Sequence, residues 1–355
     1  MMRNDRLNSL RLIALLGIAL ATMAAVAACA PGREEEKVLD VYNWGTYIAP
    51  ELIPAFEAKY SVKVNYTEFT SNDELYASLK AGSANYDIVV PTDYMAQTLI
   101  KENMLQPLNQ SMIPNFSNID TLFVNPPYDP NNEHCVPYQW GTAGLGYNKT
   151  TIPSVNSWAV MFNGEHAGRI SWLNESRLTF GAALIYLGHD PNTTDPAQID
   201  EATQLLLKTK PDVAAFAPDT GQDLLDNRTV DITMEWSGDI FQLMMTNPDV
   251  AYVIPREGAI IWTDNMCIPA TALHPNLAHK FIDFILDADI GAALSNYTQY
   301  GTPNAASMPL IDQVLLSNPG IYPPKEVMKD LYFIHSVGDA DKLYADAWAK
   351  LDISK

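Results

Sequence analysis

Residues 38–60 read VLDVYNWGTYIAPELIPAFEAKY. The run Val38–Tyr42 is apolar and β-branched, as a strand requires, and PELIPAFEAKY (residues 50–60) has a helical pattern. Trp44 and Tyr47 stand between them, in the loop where the strand stops. Aromatics are not needed there to fill a sheet. Either they cover the end of a core or they form a wall against something bound, and the rest of the chain decides which.

Strand-like and helix-like runs alternate along most of the sequence, which points to an α/β architecture. Strand candidates are LDVYNW, VKVNYTEF, DIVVPT, GLGYN, RISWL, ITMEW, AYVIP and IIWTDNMCIP. Ser71-Asn72-Asp73-Glu74 has the form of a capping box, so Glu74 reads as a cap and not as a site residue. Thr194-Asp195-Pro196 supplies a cap followed by Pro in the first helical position. Residues 135–148 and 262–271 are β-rich and bracket a block with its own βα pattern, as crossings between two lobes would. Internal repeats and low-complexity tracts are absent from the sequence.

The N-terminus reads as a targeting segment. Arg3, Arg6 and Arg11 precede the apolar run LIALLGIALATMAAVAA, which closes on small residues before Cys29. Val26-Ala27-Ala28-Cys29 resembles a bacterial lipobox, implying a signal peptide over residues 1–28, lipid on Cys29 and a short polar tether to residue 37. An uncleaved anchor is the competing reading, because the run is about long enough for a marginal span. Either places the remainder outside the cytoplasm at a membrane surface. The formal charge is −20, and removing three Arg with one Asp makes it more negative. That argues against nucleic acid, whose binding needs clustered Lys and Arg, and is compatible with a cationic ligand. Cys135 and Cys267 remain, either as a disulfide, which export permits, or as two small buried hydrophobes.

Catalytic chemistry finds no anchor. The six histidines (134, 166, 189, 274, 279 and 335) are scattered, and none has a metal-ligand spacing to another His or Cys. There is no Gly-x-Ser-x-Gly elbow. The glycines of GTAGLGYNKT (residues 141–150) suggest a phosphate loop, but Tyr147 and Asn148 separate the last Gly from Lys149, where a P-loop needs Lys at once. They read instead as relief of packing at a crossing. No cofactor or metal is implied.

Aromatics and carboxylates do recur at strand ends. Trp44 and Tyr47 follow the first strand, Thr92 and Tyr94 follow DIVVP, and Glu175 follows RISWL. Trp236 ends ITMEW with Asp239 just beyond, while Trp262 and Asp264 interrupt IIWTDN. Open α/β sheets bind ligands beyond the carboxyl ends of their strands. Trp140, Trp158, Trp172 and Trp348 read as structural. Ring faces attract ammonium groups at about 0.5–2 kcal/mol each and cover methylenes at about 0.8 kcal/mol per CH₂. An aromatic box with separated acids therefore suits an organic cation with an apolar body.

With these residues in hand, the chain resembles the polyamine-binding proteins of spermidine/putrescine ABC transport. The resemblance is carried in order by VYNWGTYIAPELIPAFE, TSNDELYASLKAG, YDIVVPTDYM, FSNID with PYDPNNEHCVPYQWGTAGLGYN, NTTDPAQI, PREGAIIWTDNMCIP and TQYGTPNAAS. It implies a class II periplasmic-binding-protein fold: two α/β lobes, residues 38–142 with 263–308 and 143–262 with 309–355, joined by two crossings and closing on the ligand. It further implies delivery to an ABC permease with a cytoplasmic ATPase, by a monomer and without catalysis. Residue by residue, Trp44 and Tyr47 match the family's first aromatic wall, Thr92 a position usually Ser, and Tyr94 the aromatic beside it. Trp236, Trp262 and Tyr300 match further aromatics, Asp264 an acid that grips an amine, and Glu175 lies at or beside another. Asp239 matches an acid of putrescine-binding members.

Three departures bear on the ligand. Thr46 stands where an acid is usual, Leu178 where a second amine-gripping carboxylate is expected, and Ile334 near a Gln of spermidine binders. Fewer acids serve fewer buried ammonium groups, which favours putrescine or another short diamine over spermidine. The alternatives are another organic cation, such as a quaternary amine or guanidino compound, and a sensor passing its signal to a receptor. A hydrolase using Glu175 and Asp264 as an acid/base pair is the enzyme-class rival; it needs them on opposite sides of a scissile bond.

Overall fold

The computed structural model describes residues 37–82 and 84–351. The targeting segment, Cys29 and most of the tether lie outside the described residues. Within these, no helix is long and apolar enough to cross a membrane.

Ten strands form one sheet: β1 (Val38–Trp44), β2 (Lys63–Phe69), β3 (Ile88–Val89), β4 (Cys135–Asn148), β5 (Ile170–Leu173), β6 (Val213–Ala217), β7 (Ile232–Trp236), β8 (Val250–Val253), β9 (Ala259–Cys267) and β10 (Leu331–Phe333). The path runs β2-β1-β3-β9-β4-β7-β5-β6, with β8 on β4 and β10 on β9. β1 pairs in parallel with β2 and β3, and β5 pairs in parallel with β6 and β7. The antiparallel pair β4–β9 joins these two parallel blocks. The two long central strands overlap the segments read as crossings: β4 spans 135–148, and β9 takes in 262–267 of 262–271.

Strand β4 contains the glycines that suggested a phosphate loop. A Cβ on Gly141 would come 2.8 Å from Trp262, one on Gly144 2.5 Å from the Tyr252 hydroxyl, and one on Gly146 2.5 Å from Ile240. They admit large side chains onto the sheet. Cys135 and Cys267 face each other across the β4–β9 register and form a disulfide, resolving the alternatives the sequence left open. DIVVPT contributes only Ile88 and Val89 as strand, since Pro91 has no N–H for a ladder. Strands β6 and β10 were not anticipated: VAAFA is alanine-rich and LYF only three residues long.

Both expected N-caps form, although the Glu74 carboxylate accepts from the Thr70 N–H at 2.9 Å and not from that of Ser71 as a capping box would have it. The Ser71 hydroxyl accepts from the Glu74 N–H at 3.1 Å, starting the helix Asn72–Ala81. Asp195 accepts from the Ala197 N–H at 2.9 Å, with Pro196 opening the helix Pro196–Thr209. Apolar residues of β1 (Leu39, Val41) and of the helix Leu52–Tyr60 (Leu52, Phe56) are buried, with Phe56 meeting Phe281 at 5.0 Å between ring centres. The helix Ser176–Leu187 is buried from Arg177 to Ile185, and Phe180 meets Tyr344 and Trp348 of the C-terminal helix Asp341–Leu351. Trp158 and Trp172 are fully buried and Trp348 packs on the core, as their reading as structural required.

Candidate functional site

The carboxyl ends of β1, β3, β6 and β7, together with the middle of β9, converge on one cavity of about 20 Å³. Its walls hold Trp44, Tyr47, Thr92, Trp236, Asp239, Trp262, Asp264 and Tyr300, eight residues that the sequence reading singled out. Gly45 and Asp219 complete it and were missed. Asp219 follows β6, the alanine-rich strand whose end carried no recognisable signal.

Five of these rings form a continuous chain by edge-to-face contacts. Centroid distances are 5.9 Å for Trp44–Trp236, 5.4 Å for Trp236–Trp262, 5.2 Å for Trp262–Tyr300 and 5.1 Å for Tyr300–Tyr47. Two of them are held from outside the cavity. Trp44 donates its indole N–H to the Val90 carbonyl at 2.9 Å, and Tyr138 donates its hydroxyl to the Tyr47 carbonyl at 2.6 Å. Trp44 and Tyr47 thus do both things the sequence allowed at once: they pack into the buried core and line a cavity at its edge.

Two of the predicted acids stand on this wall. Asp239, in the first turn of the helix Ser237–Thr246, accepts from the Thr46 hydroxyl at 2.7 Å and from the Tyr300 hydroxyl at 2.6 Å. Burial raises its pKa to about 6, with these two hydrogen bonds pulling against the rise. Asp264 is brought beside Thr92 by an antiparallel bridge. Burial raises it to about 7, partly offset by the Thr92 and Tyr47 hydroxyls. Three buried polar atoms of the wall lack a well-formed hydrogen bond: Asp264 Oδ1, the Tyr47 hydroxyl and the Trp262 indole nitrogen, with the Tyr47 hydroxyl near enough to Asp264 to favour its ionised form. Unpaired buried polar atoms cost about 1–3 kcal/mol each, a strain that a polar ligand would relieve.

Three candidates stand off the cavity wall. Thr46 is exposed, with φ of 52°, and reaches the site only by its bond to Asp239. That is an unusual backbone state for a β-branched residue. Glu175 and Tyr94 sit to one side, bonded to each other at 2.9 Å. The second Glu175 oxygen accepts from the Asn72 N–H at 2.8 Å, so both its oxygens are engaged. Burial, and next the Asp73 charge, raise Glu175 to about 8. Leu178 and Ile334, where the resemblance expects polar residues, are buried and do not border this cavity.

A family profile described as bacterial extracellular solute-binding protein matches residues 51–319. The spermidine/putrescine-binding periplasmic protein of Escherichia coli K12 is 34% identical over 330 residues, covering 92% of this chain and 95% of its own. The putrescine-binding periplasmic protein SpuD of Pseudomonas aeruginosa is 34% identical over 359 residues, covering 95% and 98%. Among solved structures, a Listeria monocytogenes protein described as a spermidine/putrescine ABC transporter superposes with a TM-score of 0.85. It is 32% identical and covers 90% of this chain and all of its own. The chain belongs to the bacterial extracellular solute-binding proteins and has their periplasmic-binding-protein type of α/β fold.

Proposed function

We propose that this protein binds a polyamine outside the cytoplasm, a short diamine such as putrescine in preference to spermidine, and presents it to an ABC permease with a cytoplasmic ATPase. The observation that carries this reading is Asp264 Oδ1, buried without a well-formed hydrogen bond in a wall of five linked aromatic rings. Such a carboxylate oxygen is suited to an ammonium group, and the rings suit the methylenes beside it. Asp239 stands as a second acid on the same wall, so two charges meet two acids. The polyamine names of the relatives support the ligand class.

The cavity is smaller than a diamine, so entry requires the walls to part. Residues 38–142 with 263–308 and residues 143–262 with 309–355 are the two lobes in this reading, hinged through β4 and β9. The Thr46–Asp239 and Tyr94–Glu175 bonds would break on opening. The protein works as a monomer, held to the membrane by lipid on Cys29.

The test is thermal unfolding of the full chain, unfolded and refolded to strip retained ligand, against putrescine, cadaverine, agmatine, spermidine, choline and glycine betaine. Ligand at about 100 times its Kd stabilises by about 2.7 kcal/mol. A larger shift with putrescine than with spermidine is expected. A shift with choline or betaine alone would remove polyamines and keep the aromatic box.

A further inference from the structure

Behind the Asp239 end of the cavity lies a second acidic feature. Asp219, Glu235 and Asp239 each bring one carboxylate oxygen to within 4.8 Å of the other two. Asp219 and Asp239 line the cavity, and Glu235, next to last in β7, is fully buried behind them. One Glu235 oxygen accepts from the Trp236 N–H at 3.0 Å, and the other, Oε2, lies against the Gly221 backbone without a well-formed hydrogen bond. The backbone is shaped around that carboxylate: a Cβ on Gly221 would lie 2.2 Å from Oε2.

No Lys, Arg or His forms an ion pair with these acids among the described residues. The other titratable groups that interact with them are Asp223, Glu175, Asp264, Tyr47, Tyr252 and Tyr300, all acidic or phenolic. Three adjacent carboxylates cannot all ionise in such surroundings. Burial, and then the mutual charges, hold Asp219 and Glu235 well above the usual carboxylate range. Burial and mutual repulsion in the ligand-free cluster therefore favour the protonated forms.

We propose that this cluster is a socket for one primary ammonium group, which meets Asp219 and Asp239 from the cavity while Glu235 backs them, and that binding displaces a proton to solvent. The proposal rests on the cationic-ligand reading above and narrows it. A primary ammonium has three N–H donors for carboxylate oxygens, whereas a quaternary nitrogen has none. Calcium takes about 6–8 oxygen ligands, more than three carboxylates offering one oxygen each supply.

The experiment is calorimetric titration of the full chain with putrescine at pH 7, in phosphate and in Tris, whose protonation heats differ. The buffer dependence should correspond to release of about half to one proton. Asp219→Asn should weaken putrescine binding about tenfold or more while changing butylamine, whose single ammonium is satisfied at Asp264, by less than about threefold. Glu235→Gln should remove most of the proton release. Heats independent of buffer in the wild type would overturn the proposal whether or not the variants fold. Unchanged putrescine affinity in a folded Asp219→Asn protein would also overturn it. Calcium binding that Asp219→Asn abolishes, with putrescine unaffected, would reassign the cluster to a metal. If neither putrescine nor spermidine binds the wild type, the ligand class itself fails and the socket fails with it.

Discussion

Asp264 and Glu175 are two buried carboxylates that sequence reasoning placed in the same role, and the structure separates them. Both are raised by burial, to about 7 and about 8. Asp264 keeps an oxygen without a well-formed hydrogen bond on the cavity wall. Glu175 gives both of its oxygens to the Asn72 N–H and the Tyr94 hydroxyl, from elsewhere in the chain. Burial and a raised pKa therefore do not distinguish an acid that awaits a ligand from one that ties segments together. The unused hydrogen-bonding capacity does.

The largest expected effect falls on Asp264. Asp264→Asn should weaken putrescine binding about 100-fold, because an ammonium loses about 2–3 kcal/mol when its carboxylate becomes a neutral amide. Calorimetry measures this directly, and a loss under about twofold would break the comparison at its first term.

Next comes pH. The folded, ligand-free protein holds protons on Asp239 and Asp264 that the unfolded chain releases near its ordinary carboxylate range. Their contribution to stability is present below about pH 4 and is lost as pH rises through about 6 and 7. A bound cation favours the ionised forms, so diamine affinity should rise from pH 5 to 8, by at most about tenfold per unit for each proton displaced. Affinity flat across that window would mean the acids are already ionised without ligand.

Trp262 touches Tyr47, Trp236 and Tyr300 at once. Trp262→Ala should cost roughly tenfold in affinity, in keeping with about 0.5–2 kcal/mol for a cation over a ring. The loss should be similar for putrescine and cadaverine in a competition assay. A loss confined to one of them would show the indole measuring length and not simply covering charge.

Glu175→Gln should have the smallest effect. Near neutral pH its carboxyl already carries a proton for much of the time, and an amide oxygen can still accept from the Asn72 N–H. Less than about a threefold change in putrescine affinity is expected, against the 1–3 kcal/mol cost of a buried group left unpaired. A loss comparable to that of Asp264→Asn would restore Glu175 as a gripping acid and erase the difference between the two regions.

The sequence by itself determined the alternation of strands and helices, both caps, the two long central strands and seven residues of the cavity wall, with Tyr300 added by the family resemblance. Those are local or periodic signals: β-branched runs, Ser and Asp at helix starts, aromatics displaced past strand ends. Only the tertiary structure decided which acids face the cavity. Glu175 is turned away because the Asn72 N–H, distant in sequence, satisfies it. Asp219 is turned in from the end of a strand with no apolar alternation to announce it, and Glu235 is drawn behind it by the register of β7. Hydrogen-bond satisfaction across the fold is a property of pairs far apart in the chain, so no local pattern encodes it.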